Sequence, residues 1–261
     1  MGVSLRSEVA DGLAVLTLTQ PARGNPLDAA LIAQLKECVQ WLWGRDALRC
    51  VLLRAEGGNF SFGGDLHAFH AHGPRLPALV RDWTADLHMA LQRLWALPVP
   101  LVAQVQGAAM GGALSLVAGC DVVVAAAGSR FGSAFSRIGL SCDSGSSATL
   151  TARMGMARAR RFVLFSEVLD SAAAQQAGLV DRVVPDDALA HEAVQLARRL
   201  AQGPTAAYGA IKRLFLQAGS AQLQAQLEAE ALAIAAVAAT QDAGEGVAAL
   251  LARREPVFRG R

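Results

Sequence analysis

Two short runs constrain the fold more than anything else in the chain. They are "PLVAQVQG", ending at Gly107, and "DVVVAAAG", ending at Gly128. Each is almost wholly apolar, too short for a typical helix, and stopped by glycine. Such runs, without polar alternation, read as strands buried on both faces, which requires helices packed against either side of a sheet. Two further segments fit that sheet. "LAVLTLTQP" places Val15 and Thr17 on one face and Leu16 and Leu18 on the other, and "RCVLLRAEG" is closed by Gly57 and Gly58. Between these strands Leu27, Leu31, Leu35, Cys38, Val39 and Leu42 recur at helical spacing, which predicts a helix over 27–43 with one buried stripe. "GGALSLVAGC" predicts a short buried helix. Strands alternating with helices make the fold class α/β.

The second half of the chain reads as mostly helical. "MARARRFVLFS" is one helix, and "SAAAQQAG" is another, with Ser171 as N-cap and Gly178 as its stop. "LVDRVVP" is a short strand before Pro185, and helix follows from "DDALAHEAVQLARRLAQG" to about residue 253. The segment 222–240 is apolar almost all round, as expected of a helix buried from more than one side, including at a subunit interface. The division expected is a core over 1–200 and a C-terminal helical region over 201–261.

Composition excludes several classes. With 261 residues, 53% hydrophobic and 18% charged, the chain has ample material for a core. A net charge of +2 with no basic run leaves no footprint for nucleic acid. The start, "MGVSLRSEVADG", has no apolar core of a signal peptide, and Arg6 stands where a myristoylation signal needs Ser or Thr. No apolar run reaches membrane-spanning length uninterrupted. Cys38, Cys50, Cys120 and Cys142 match no zinc spacing and fit free thiols in a reducing compartment, so a cytoplasmic location is expected.

The chemistry-bearing candidates are few. Gly63–Gly64 follows a strand, and Gly111–Gly112 joins a strand to a helix. Glycine turns of this kind either pack tightly or aim backbone N–H groups at a ligand, and two such groups aimed at one point make an oxyanion hole. Neither pair matches a nucleotide-binding glycine motif. Asp143 lies in "RIGLSCDSGSS", with no other acid between Asp121 and Glu167. It, or Ser144, could cap a following helix, or it could be a reactive carboxylate. His67, His70 and His72 form an H-x-x-H-x-H run with only Asp65 nearby, which reads as solvated loop histidines and no metal site. A hydrolytic triad of Ser115, His88 and Asp143 lacks any nucleophile-elbow context.

Taken together and in order, "NFSFGGDLHAF", "LPVPLVAQVQGAAMGGALSLVAGCDVVVAA", "SRFGSAFSRIGLSCDSGSS", "LDSAAAQQAGLVDRVVPDD" and "DAGEGVAALLARREPVFRGR" resemble the crotonase, or enoyl-CoA hydratase/isomerase, family over essentially the whole chain. The resemblance implies a spiral of ββα units and a C-terminal helical region that packs into trimers or dimers of trimers. It implies an acyl-coenzyme A thioester as ligand, with no separate cofactor. It places the two oxyanion N–H groups on Gly64 and Gly112. The family's hydratases use two glutamates, and their positions here hold Ser115 and Phe135. Asp143 matches the aspartate of branches that shuttle a proton along the acyl chain, or of 4-chlorobenzoyl-CoA dehalogenase, where the aspartate attacks the ring. His88 stands at the dehalogenase histidine's distance before Gly112, or is a helix residue bonded near the pocket wall. The replacements at 115 and 135 also fit a non-catalytic acyl-CoA-binding member. For coenzyme A, the resemblance points to Arg23, Asn25, Leu27 and the turn with Phe62, Asp65 and Leu66. Charge alone makes Arg23 and Lys212 candidates for the phosphates, and Phe258 matches a recurrent tail aromatic near the adenine end or at a subunit contact.

Overall fold

The computed structural model describes residues 3–218, 241, 242, 245, 254 and 256–261. From the N-terminus, β1 (Leu5–Ala10) and β2 (Leu13–Leu18) form a hairpin, followed by α1 (Ala29–Trp43) and β3 (Cys50–Ala55). Then come α2 (Leu66–His72), α3 (Leu76–Trp95), β4 (Leu101–Val105), β5 (Ala108–Met110), α4 (Gly112–Ala118), β6 (Val122–Ala126) and β7 (Arg130–Gly132). The remainder is α5 (Ser146–Met154), α6 (Met156–Leu164), β8 (Val168–Asp170), α7 (Ser171–Gln176), β9 (Arg182–Val184), α8 (Leu189–Ala201) and α9 (Thr205–Ala218).

The main sheet has the order β1-β2-β3-β4-β6-β9, parallel except for the β1–β2 pair. Both faces are buried at the central strands β3, β4 and β6, as the apolar runs require. In β3, Val51 and Leu53 join the core with α1 and α3, whereas Cys50 and Leu52 face α8. α8 answers with Leu189, Ala193, Ala197 and Ala201, one residue per turn on a single stripe. A second sheet, β5-β7-β8, was not read from the sequence. Its strands are three residues each, too short to show a period.

α1 buries Leu31, Leu35, Cys38, Val39 and Leu42, the stripe expected from spacing. All seven residues of α4 are buried. Gly178, at φ +81°, ends α7 as expected. The cap of α7 differs from expectation: Asp170 accepts from the Ala173 amide at 2.8 Å. The Ser171 hydroxyl instead turns into the core and donates to the Ala126 and Ala127 carbonyls at 2.7 and 2.9 Å. The carboxylate one residue earlier satisfies the helix end, which frees the serine for the buried carbonyls. The 222–240 segment, with most of the 201–261 region, lies outside the described residues.

Candidate active site

Beyond β3 the chain runs parallel beside β5, with Ser61 bridged to Ala109, so the two glycine turns emerge together. Main-chain bonds lock them: Phe60 N–H to Gln106 O at 2.8 Å, Met110 N–H to Ser61 O at 3.0 Å, and Gly111 N–H to Gly132 O at 2.9 Å. Gly63 sits at φ +87°, and a Cβ there would stand 2.7 Å from the Met110 carbonyl and 3.4 Å from the Gly112 nitrogen. Only glycine permits both that dihedral and that approach. The two turns therefore touch backbone to backbone, which brings Gly64 and Gly112 to the wall of one cavity. Gly112 opens α4, so its N–H has no intrahelical acceptor. At the other turn Gly63 takes the bonds, its amide to Ser61 Oγ at 3.0 Å and its carbonyl from Leu27 N–H at 2.8 Å.

That cavity has a volume of about 190 Å³. Leu27, Phe62 and Leu66 line it from the first turn, Trp83 and Leu87 from α3, and Phe135 from the segment after β7. The rings of Phe69 and Trp83, with centroids 5.8 Å apart, tie α2 to α3 along this wall. Asp143 lines the same cavity and is the one carboxylate to do so among the described residues. It does not cap α5: Gly145 is that helix's N-cap, and Asp143 contributes only its backbone carbonyl, to Ser146 N–H at 2.9 Å.

The Asp143 loop is held by side chains from distant parts of the sequence. His88 Nε2 accepts the Ser144 N–H at 3.0 Å, and Ser144 Oγ donates to Asp143 Oδ1 at 2.9 Å. Ser146 Oγ donates to the Asp143 carbonyl at 2.7 Å and is hydrogen-bonded to Ser115 Oγ. Ser115, fully buried in α4, thus ties down the loop from the position of the missing glutamate. Phe135, the other such position, is buried in the cavity wall. Trp95 supports the loop from behind: a Cβ on Gly145 would stand 2.9 Å from its ring. Ser144 holds φ +53°, a left-handed conformation that a serine keeps only when its surroundings fix it.

Arg23, Asn25, Lys212 and Phe258 each make contacts within the chain. Asn25, at φ +51° and buried, has its Oδ1 bonded to Gln20 N–H at 2.8 Å and its Nδ2 to the Glu56 and Phe60 carbonyls at 3.0 Å each. Its side chain fixes the first turn. Arg23 bridges Asp28 and Asp65, both at 2.7 Å, and these two carboxylates cap α1 and α2. The hydrogen bond to Asp28 is the largest reason its guanidinium is held above its ordinary value, and two acids already balance its charge. Lys212 pairs with Asp121 at 2.7 Å and donates to the Val99 carbonyl at 3.1 Å. The Phe258 carbonyl accepts from Arg49 at 3.4 Å. Val99, Asp121 and Arg49 precede β4, β6 and β3, so Lys212 and Phe258 lie at the strand ends opposite the glycine turns. No group of three metal-ligating side chains occurs among the described residues, and His72 Nδ1 bonds the Ala68 carbonyl at 2.7 Å.

The reading of His88 as a helix residue bonded near the pocket wall matches its bond to the Ser144 amide, whereas the serine tethers were missed. The tethers carry no local signal, since His88 and Ser144 are 56 residues apart.

Comparison with known proteins now decides the family. The sequence pattern described as Enoyl-CoA hydratase/isomerase matches residues 8–261. This chain belongs to the enoyl-CoA hydratase/isomerase family. A "Probable enoyl-CoA hydratase" of Rhodobacter capsulatus is 37% identical over 99% of this chain and 98% of its own length. The 1,2-epoxyphenylacetyl-CoA isomerase of Escherichia coli is 36% identical over 98% of each chain. The crystal structure of an enoyl-CoA hydratase from a Polaromonas species superposes with a TM-score of 0.91 at 30% identity, covering 98% of this chain and 99% of that one. The fold of this enoyl-CoA hydratase/isomerase family member is therefore the crotonase fold expected from its motifs. Relatives named as hydratases and as isomerases both occur, so the reaction type must be argued from the site.

Proposed function

We propose that this family member is an isomerase-type enzyme acting on an acyl-CoA thioester, with Asp143 as its proton carrier. The supporting observation is that Asp143 shares one apolar cavity with Gly64 and Gly112, and that both positions of the hydratase glutamates lack a carboxylate. In this reading the Gly64 and Gly112 amides hold the thioester oxygen. Asp143 takes a proton from the carbon beside the carbonyl. The C–H electron pair flows into an enolate whose oxygen the two amides stabilise. Asp143 then returns a proton to another carbon, and the double bond has moved. Leu27, Phe62 and Leu66 offer apolar wall to the acyl group, Phe62 and Leu66 from the exposed side. The apolar walls exclude the water that a hydratase would add.

Aryl displacement with His88 activating water draws less support. His88 Nε2 is engaged by the Ser144 amide, and His88 is not among the residues lining the cavity. The test is turnover of a 3-enoyl-CoA by the native protein and by Asp143→Asn. The variant is expected to lose about 10²–10⁴-fold in kcat, the range for removing a general acid–base group. An Asp143→Asn protein that isomerises as fast as the native one would remove the assignment.

A further inference from the structure

Asp143 is a wall of two cavities, not one. Behind the loop lies a second cavity of about 680 Å³, lined by His88 and Gln92 of α3 and by Cys142, Ser146 and Ser147. Asp143 and Ser144 line both spaces, so the 143–144 segment is the partition between them. Both have largely apolar walls, the rear one through Leu91, Trp95, Ala96 and Leu216, and both carry hydroxyls; the rear alone adds an imidazole, His88, and a side-chain amide, Gln92. Gln92 and Ser147 are exposed, which puts the rear space in contact with the surface. A water occupies about 30 Å³ of liquid and needs polar partners, and the rear cavity supplies both room and partners.

We infer that the rear cavity is a proton-exchange chamber, through which Asp143 trades its proton with solvent while the acyl chain still fills the front. This rests on the reading of Asp143 as proton carrier. The Asp143 carboxylate breaks a C–H bond next to the thioester carbonyl and becomes the neutral acid. The electron pair stays on the enolate. The acid then gives its proton to a rear-cavity water and takes one back, with no net change in charge or electrons. It delivers that second proton to the far carbon of the conjugated enolate, which collapses to the thioester with the double bond moved. A seated acyl chain leaves apolar surface around the front of Asp143, so the solvent-derived proton enters from behind.

The experiment is isomerisation of a 3-enoyl-CoA by the full chain in D₂O, with mass spectrometry of the product at low conversion. Most product molecules are expected to carry a deuteron at the reprotonated carbon. Ser147→Trp and, from the opposite wall, Gln92→Trp put an indole into the rear space. Each is expected to lower that label several-fold while turnover continues. Product that forms without deuterium overturns the proposal and leaves the Asp143 reading standing. An unchanged label in both tryptophan variants also overturns it. No isomerisation at all overturns the Asp143 reading, and the exchange chamber with it.

Discussion

The glycine turns and the Asp143 loop face the same cavity but are fixed by different means. Gly64 and Gly112 are positioned by main-chain bonds between turns and strands, such as Met110 N–H to Ser61 O and Gly111 N–H to Gly132 O. Those bonds need only backbone, plus glycine where the turns touch. Asp143 is positioned by side chains: His88 on Ser144, Ser144 on Asp143, and Ser115 through Ser146. An oxyanion site made of main chain tolerates many sequences around it. A carboxylate suspended on side chains can be moved, replaced or lost by single substitutions. In the proposed reading, the group that holds the thioester oxygen therefore rests on backbone and the group that moves the proton rests on side chains. Ser115, at a position where the family resemblance expects a hydratase glutamate, is one of these side-chain tethers.

The comparison is most easily broken at Gly112. A Cβ there would stand 2.8 Å from Ser144 Oγ and 3.0 Å from Leu27. Gly112→Ala is expected to push on the turn and the Asp143 loop together, with a loss of about 10²–10³-fold in kcat, as for removal of an oxyanion donor. If steady-state assays show native kcat, the two regions do not meet as described.

A smaller effect is expected at the tethers. His88→Ala leaves the Ser144 N–H without its acceptor, and Ser115→Ala removes the bond to Ser146. Each lost hydrogen bond corresponds to about 0.5–1.5 kcal/mol, so kcat should fall by about two- to tenfold. KM should stay near native, because neither residue lines the front cavity. A total loss of activity in His88→Ala, without unfolding, would make His88 a reacting group and not a tether.

The smallest effect is a labelling pattern. Burial pushes the thiols of Cys38, Cys50 and Cys120 up to about 11, 12 and 12, respectively. A raised value keeps the proton on sulfur, so near pH 8 these thiols hold almost no reactive thiolate. Cys142, half-buried beside Asp143, is the expected site of alkylation in the native protein. Peptide mapping after brief iodoacetamide treatment should find carbamidomethyl at Cys142 alone. Equal labelling of Cys50 or Cys120 would show that the strands and helices enclosing them open readily.

The same division governs what could be read from the sequence. The doubly buried strands, the α1 stripe and the two glycine turns were legible because each is written in consecutive or periodic residues. Asp143 stood out as an isolated acid, but its surroundings did not. Its partners come from α3 and α4, and the turn at Ser144 needs a positive φ that no glycine announces. Charge marked Lys212 but not its partner: the ammonium is paired with Asp121, 91 residues away in sequence, at the strand ends opposite the glycine turns. Ser171 was displaced as a cap by the neighbouring Asp170 for a reason visible only in three dimensions: three carbonyls of the β6–β7 turn converge on its hydroxyl.

In the proposed reading, the proton-moving chemistry of this site belongs to one aspartate and not to a pair of glutamates. The most direct measurement is a side-by-side assay of the native protein with a 3-enoyl-CoA and a 2-enoyl-CoA, following isomerised and 3-hydroxyacyl products separately. The account predicts conversion of the 3-enoyl to the 2-enoyl thioester with no matching formation of hydroxyacyl product. Hydration of the 2-enoyl thioester at a rate equal to or above isomerisation would contradict it.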